Sequence, residues 1–358
     1  MLIPQLRTAL ARVRPRPQVL LAMGLLFGLS ALVSRPAAQV TPRPAVDAPR
    51  APPPVAASAA DTDAGGVGGH RGRKTIMRER MRLRAETMRQ TCEGKPLYRA
   101  PAISDNIFYD KTHALVWCPV YKAGSTNWLK LLCRAHSLDR PWRRGPRRPC
   151  PIEVLRRHLG TIGRGWQVPP TVRHRFLVVR HPLERLLSAY RNKLEGPDLH
   201  AFYREKVARM ISRHRVGRVE SDRRVHPGQS PPPLTFDEFL RSVAAKDVLD
   251  EHWKPYYALC TPCNIEYDLV GKFETLAEDQ RYISEVVGLE EHAHLLLSDS
   301  ANVHAAGPTG TYLQKYFSQV TRDELMRVYS VFKLDFVMFN YTVDEYLKYT
   351  KPNALNRI

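Results

Sequence analysis

Two short segments constrain this chain more than anything else in it. The first is Tyr121-Lys122-Ala123-Gly124-Ser125-Thr126-Asn127-Trp128. The second runs Arg180-His181-Pro182-Leu183-Glu184-Arg185-Leu186-Leu187-Ser188 and on to Asn192. Each follows a short apolar, β-prone run, Ala114 to Val120 and Arg175 to Val179, and each leads into a helical pattern. Strand, tight polar loop, helix is an arrangement that aims backbone N–H groups and a helix N-terminus at an anion. Lys122 adds a point charge, Gly124 permits close backbone approach, and Ser125, Thr126 and Asn127 add donors. In the second segment Leu183, Leu186, Leu187 and Tyr190 fall at helical spacing and read as core, which leaves Arg180 and Ser188 as the side chains for a ligand. Two such cradles on neighbouring strands suit a ligand with phosphates at both ends. A nucleoside-triphosphatase P-loop would place its lysine after the second glycine. Here Lys122 precedes the only glycine nearby, and no aspartate-ended strand of the magnesium-binding kind follows.

Strands alternating with helices predict an α/β fold whose mainly parallel sheet is flanked by helices. The expected elements are strands at Ala114–Val120, Arg175–Val179 and Asp268–Lys272. Helices are expected at Ser125–His136, Leu183–Leu194, Thr235–Val243, Val248–Leu259, Thr275–Val287 and Thr321–Phe332. Ligands of such sheets bind at the carboxyl ends of strands, where both segments fall. Residues 137–172 and 213–233, rich in Arg, Pro and Gly, read as long surface loops of the kind that contact substrates.

The two segments together resemble the Golgi carbohydrate sulfotransferases, the family of the chondroitin and dermatan 4-sulfotransferases and the natural-killer-epitope sulfotransferase. The resemblance continues through Asp250 to Cys263 (DEHWKPYYALCTPC), Tyr267 to Leu276 and Tyr329 to Tyr341. It departs at Tyr121, where that family has proline before the lysine. It implies a P-loop-like sulfotransferase fold. Residues 121–127 would bind the 5′-phosphosulfate of 3′-phosphoadenosine 5′-phosphosulfate (PAPS), and residues 180–188 its 3′-phosphate. Sulfuryl transfer needs donor and acceptor aligned, the leaving phosphate stabilised and the attacking hydroxyl deprotonated. Lys122 is the expected stabiliser. His252, beside acids in the Asp250–Trp253 block, is the first candidate for the base, ahead of Glu251 and His181. No metal is required on this reading.

A net charge of +20 over 358 residues calls for an anionic partner. The charge is concentrated: Arg134 to Arg191 holds 14 arginines, no lysine and three acids. Nucleic acid would be the default partner, but the N-terminus argues against it. Val19 to Val33 is an uncharged apolar run of 15 residues preceded by Arg7, Arg12, Arg14 and Arg16. That pattern predicts a cytoplasmic tail (1–18), a signal anchor (19–33) and a luminal remainder, a single-pass type II Golgi protein. The rival is a cleaved signal peptide. Residues 34–73, rich in Pro, Ala and Gly, read as a flexible stem. Residues 74–91 read as a basic helix packed on one side, and 92–350 as the catalytic domain. The acceptor is then a polyanionic glycan, with Arg143, Arg144, Arg147 and Arg148 as its binding residues and the 4-hydroxyl of N-acetylgalactosamine as the position the resemblance favours. Sulfation of glycoprotein glycan termini is the alternative. A non-catalytic heparin-type binding protein is the alternative of another class, and a magnesium-dependent luminal kinase or hydrolase a third. Six cysteines in a luminal domain are candidates for disulfides, with fifteen possible pairings, and Cys260–Cys263 lacks the second close pair a zinc ribbon would need. Asn340-Tyr341-Thr342 is the one N-glycosylation sequon.

Overall fold

Both apolar runs become buried strands. In the computed structural model, which describes residues 67–94, 106–140, 150–162, 168–195, 202–214, 233–297 and 310–353, β1 is Phe108–Asp110, β2 Leu115–Cys118, β3 Gly160–Thr161, β4 His174–Val179 and β5 Leu269–Lys272. β2, β4 and β5 pair in parallel, Leu115 facing His174 and Phe176 facing Leu269. β1 joins antiparallel to β2 and β3, which gives the order β3-β1-β2-β4-β5. The central strands are apolar on both faces because helices cover both faces.

Thirteen α-helices are described: α1 Val67–Cys92, α2 Ser125–Ala135, α3 Ile152–His158, α4 Pro182–Lys193, α5 Ala208–Ile211, α6 Phe236–Ala245, α7 Tyr256–Leu259, α8 Pro262–Ile265, α9 Leu276–Val286, α10 His294–Leu297, α11 Gly310–Phe317, α12 Arg322–Met338 and α13 Asp344–Leu347. Alternation along the strands sorts the core into two layers. Trp117, Phe176, Val178 and Leu269 face one way, onto Trp128 and Leu131 of α2 and Ile283 of α9. Val116, Cys118, Leu177, Val179 and Val270 face the other, onto Tyr256 and Leu259 of α7 and Met338 of α12. A third cluster packs Leu183, Leu186 and Leu187 of α4 against Phe236, Phe239, Phe317 and Phe332.

The basic helix is integral to this body. α1 begins at Val67, inside the stretch read as stem, and buries Met77, Met81, Ala85 and Met88. Arg84 donates to the Val270 carbonyl (3.0 Å) and to the fully buried Asp279 (2.6 Å), so α1 blocks the free edge of β5. Among the described residues no helix is long and apolar enough to cross a membrane; Val19–Val33 and most of the stem lie outside them.

All six cysteines are paired: Cys92–Cys263, Cys118–Cys260 and Cys133–Cys150. The first two close separations of 171 and 142 residues. On a chain-entropy account each is worth on the order of 4–5 kcal/mol. They sew the turn at 260–263 to the end of α1 and to the end of β2, just before Tyr121.

Two expectations need correction. The helix predicted over Val248–Leu259 is only α7, because Pro255 cannot continue a helix and Asp250 caps the His252 amide (2.9 Å) in a side-chain turn. The loop expected over 137–172 contains α3 and β3; α3 is arginine-rich and buries only Leu155, so it carries little apolar periodicity.

Candidate active site at the ends of β2 and β4

The first cradle is a turn held in an unusual backbone state. Lys122 and Gly124 both have positive φ, 72° and 84°. At Gly124 a Cβ would meet the side chains of Leu276 and Gln280 at 3.3–3.4 Å, so glycine is required by both conformation and space. A lysine in the left-handed region costs on the order of 1–3 kcal/mol and persists only where its surroundings impose it. Here two arginines do so: Arg185 Nε donates to the Tyr121 carbonyl (3.0 Å) and Arg180 approaches that of Lys122 (3.4 Å). α2 then starts with no side-chain cap, and among the described residues the amides of Gly124, Ser125 and Thr126 donate to no acceptor. The Lys122 ammonium is half-buried and meets no carboxylate among the described residues. Burial, reinforced by Lys193 and Arg180, pushes it down to about 8. Beside Gly124 lies the Gln280 amide, buried with neither polar atom paired among the described residues. Asn127 is turned away, donating to the Leu296 carbonyl (3.1 Å), so its side chain braces the loop from behind.

The second cradle abuts the first. Tyr256 OH donates to the Arg180 carbonyl (2.6 Å) and accepts its amide (3.2 Å), and Asp335 fixes Tyr256 by accepting its backbone N–H (2.7 Å). The Arg180 guanidinium lies 4.3 Å from the Phe273 ring centroid and pairs with Glu184 (3.0 Å). An anion taken by Arg180 would exchange with that carboxylate. Ser188, one turn along α4 from Glu184, has a half-buried hydroxyl with no partner among the described residues. The side chains of Pro182, Leu183, Leu186 and Leu187 are core, leaving Ala123 and the start of α4 to act through backbone alone. Arg185 is fully enclosed and donates to the carbonyls of Tyr121, Glu251 (2.9 Å) and Lys254 (2.7 Å). It is a positioning residue. His181 is also enclosed, with Nε2 on the Thr342 carbonyl (2.8 Å) and its ring stacked on Tyr346 at 4.3 Å.

A third wall comes from the Asp250–Trp253 turn. Asp250 Oδ1 lies 2.5 Å from His252 Nδ1, and Tyr203 OH lies 3.1 Å from the same nitrogen. A carboxylate at Nδ1 fixes the proton there and leaves Nε2 as the lone-pair nitrogen, which has no partner among the described residues. Burial lowers the His252 pKa below its usual value, with the Asp250 hydrogen bond opposing and Lys193 adding to the drop. The imidazole is therefore neutral and able to accept a proton near pH 7. Its ring stands 4.8 Å from Tyr121, which ties it to the first cradle. Lys193 acts on both Lys122 and His252, so these three groups and Arg180 share one electrostatic field.

The structure thus brings together Lys122, Gly124–Thr126, Arg180 and His252, with Ser188 one turn beyond Glu184 on α4. Glu251 offers a backbone carbonyl to Arg185, and Arg143, Arg144, Arg147 and Arg148 lie outside the described residues. Reading the sequence missed Lys193, Tyr203, Tyr256, Phe273 and Gln280. Tyr256 and Phe273 sit inside the blocks that carried the resemblance, whereas Gln280 lies in the helix expected over Thr275–Val287 and Tyr203 in a stretch with no motif.

The profile of the sulfotransferase family matches residues 105–342, which span both cradles and the His252 turn. The chain belongs to that family. Among curated proteins it is 30% identical to carbohydrate sulfotransferase 11 of Mus musculus over 291 residues, 74% of this chain and 77% of the relative. It is 31% identical to carbohydrate sulfotransferase 14 of Danio rerio over 294 residues (75% and 74%). To carbohydrate sulfotransferase 8 of Homo sapiens it is 28% identical over 273 residues (75% and 62%). No solved structure matches.

A member of the sulfotransferase family takes its sulfuryl group from PAPS, and the site fits such a polyanion. Among the described residues Lys122 has no counter-charge, the Gly124, Ser125 and Thr126 amides have no acceptor, and Gln280 beside Gly124 is unpaired. One consequence is a pH dependence. With Lys122 at about 8 in the free protein, binding of adenosine 3′,5′-bisphosphate above that pH must draw a proton onto the amine. Affinity is expected to fall by up to about tenfold per pH unit above 8, with proton uptake visible by calorimetry in buffers of different ionisation enthalpy. Lys122→Arg, charged throughout, should flatten the profile; an unchanged bend would assign it to another group.

Proposed function

We propose that this sulfotransferase modifies a carbohydrate, transferring the PAPS sulfuryl group to the 4-hydroxyl of N-acetylgalactosamine in chondroitin or dermatan. The observation that carries the transfer chemistry is the Lys122 ammonium, without a partner among the described residues, at the uncapped start of α2, flanked by Arg180 and by the Asp250–His252 pair. His252 Nε2 takes the proton of the acceptor hydroxyl as its oxygen attacks sulfur. The bond from sulfur to the 5′-phosphate oxygen breaks, and Lys122 neutralises the charge left on that phosphate. Residues 121–127 hold the 5′ end of the donor, and Arg180 with Ser188 its 3′-phosphate. The carbohydrate acceptor is supported by the carbohydrate sulfotransferase relatives. The galactosaminoglycan is supported by the net charge of +20 and by the resemblance of the motif blocks; the 4-hydroxyl rests on that resemblance alone.

The same reading places the chain in the Golgi membrane through Val19–Val33, with its catalytic domain luminal and the arginines of 143–148 on the glycan. Asn340 is exposed just beyond α12, which supports its use as a glycosylation site.

A transfer assay with radiolabelled PAPS against desulfated chondroitin, dermatan, heparan and N-glycan acceptors tests the proposal. Label is expected on chondroitin or dermatan, and disaccharide analysis should place it at the 4-position. Label on N-glycans alone would move the assignment to glycoprotein termini. No transfer to any acceptor, with bisphosphate binding intact, would leave the acceptor outside these classes.

A further inference from the structure

Away from the donor site, the fold gathers three histidines around one buried carboxylate. Asp110 ends β1, His113 lies in the β1–β2 turn, His136 follows the last turn of α2 and His158 ends α3. Asp110 is fully buried. Its Oδ1 accepts the backbone N–H groups of Thr112 (2.9 Å) and His113 (3.2 Å). That leaves Oδ2 facing two imidazoles, His113 Nδ1 at 2.6 Å and His136 Nε2 at 2.7 Å. His158 Nε2 lies 3.2 Å from His136 Nδ1.

We propose that Asp110 Oδ2, His113 Nδ1 and His136 Nε2 are the protein ligands of a divalent transition-metal ion, zinc by their chemistry. The three ligand atoms already lie within 4.8 Å of one another. Two imidazoles and a carboxylate are a zinc-type donor set, with a fourth tetrahedral position left to water. Around zinc, with bonds near 2.0–2.1 Å, tetrahedral ligand atoms stand about 3.4 Å apart. The two contacts to Oδ2 must therefore open by about 0.7 Å, a change of side-chain torsion rather than of backbone. The groups behind the ligands are those a metal site uses. Two amides hold Oδ1, and His136 Nδ1 can donate to His158 Nε2, which orients the ligating ring.

The ion would tie the β1–β2 turn to the far end of α2, whose near end forms the Lys122 cradle. The site is at the opposite end of β2 from the donor cradle, so this proposal does not depend on the sulfotransfer mechanism. It also leaves the sulfuryl transfer step free of metal.

Without an ion the same four residues form a satisfied hydrogen-bond network, and the experiment separates the two cases. Purified full-length chain is stripped with chelator and titrated with zinc, and in parallel with cobalt(II), whose visible absorption reports tetrahedral nitrogen and oxygen ligands. One equivalent is expected, with affinity at least 100-fold weaker in His113→Gln and in His136→Gln. His158→Gln is expected to weaken it about tenfold, as for other orienting groups. Bisphosphate binding reports folding in each variant; if His136→Gln loses it, the more exposed His113 decides. Absence of stoichiometric metal, or equal affinity in wild type and His113→Gln, would overturn the site and leave the hydrogen-bond network as its whole role.

Discussion

Replacing Lys122 by alanine is expected to lower kcat by about 10²–10³-fold, as for other preorganised charges aimed at a leaving or oxyanionic group. Affinity for the bisphosphate product should fall too, since the charge whose loss weakens binding above pH 8 is gone, but by less than kcat, because the α2 amides, Arg180 and Ser188 remain. His252→Gln should cost turnover as well, by about 10²–10⁴-fold, for a different reason. Glutamine keeps a polar group in the turn but removes the lone-pair nitrogen that accepts the proton. The two can be told apart by pH. The acidic limb of the kcat/KM profile should vanish with His252→Gln and survive in Lys122→Ala. Loss of bisphosphate affinity in step with turnover would mean that Lys122 only binds; an acidic limb retained in His252→Gln would remove His252 as the base.

Arg185→Met is expected to destabilise the fold by about 3–5 kcal/mol, the usual range for removing one partner of a buried charged interaction. Methionine fills much of the volume but cannot donate. The carbonyls of Tyr121, Glu251 and Lys254 would then lose their donor, at about 1–3 kcal/mol for each that water cannot reach. Because those carbonyls belong to the Lys122 loop and the His252 turn, the surviving folded protein should also bind bisphosphate weakly. Arg185→Lys should rescue little, since one ammonium cannot span three carbonyls fixed around a planar fork. Urea midpoints give the stability and calorimetry the binding. A loss below about 1 kcal/mol would show that other contacts hold the two segments together.

Much of this was legible in the residues. The parallel core strands were visible as short apolar runs, and their order along the chain fixed which loops share a sheet end. The helices α6 and α12 announce themselves through Thr235 with Glu238 and Thr321 with Glu324, reciprocal capping boxes that the structure forms. Lys122 and Arg180 were legible because charge beside a strand-ending turn has few other uses. What sequence could not show was division of labour within one motif. Arg185 looks like Arg180 on paper, but the α4 period turns it inward and makes it structural. Glu184 looked like part of the cradle and is the counter-ion of Arg180. β1 and β3 are too short, at three and two residues, to show a period at all. The role of α1 was hidden because its buried face is built from methionines and one alanine among arginines.

The two long disulfides set a timetable for making this protein. Cys92 and Cys118 leave the ribosome 142–171 residues before their partners Cys260 and Cys263. At about 5–20 residues per second, that is a wait of roughly 7–35 s. During it, the thiols within reach of Cys118 are Cys133, 15 positions on, which belongs with Cys150, and Cys92, 26 positions back. A Cys92–Cys118 bond formed then would have to be broken before the turn at 260–263 could dock behind the Lys122 loop. Yield in an expression host should therefore follow the supply of disulfide isomerase more closely than the supply of oxidant.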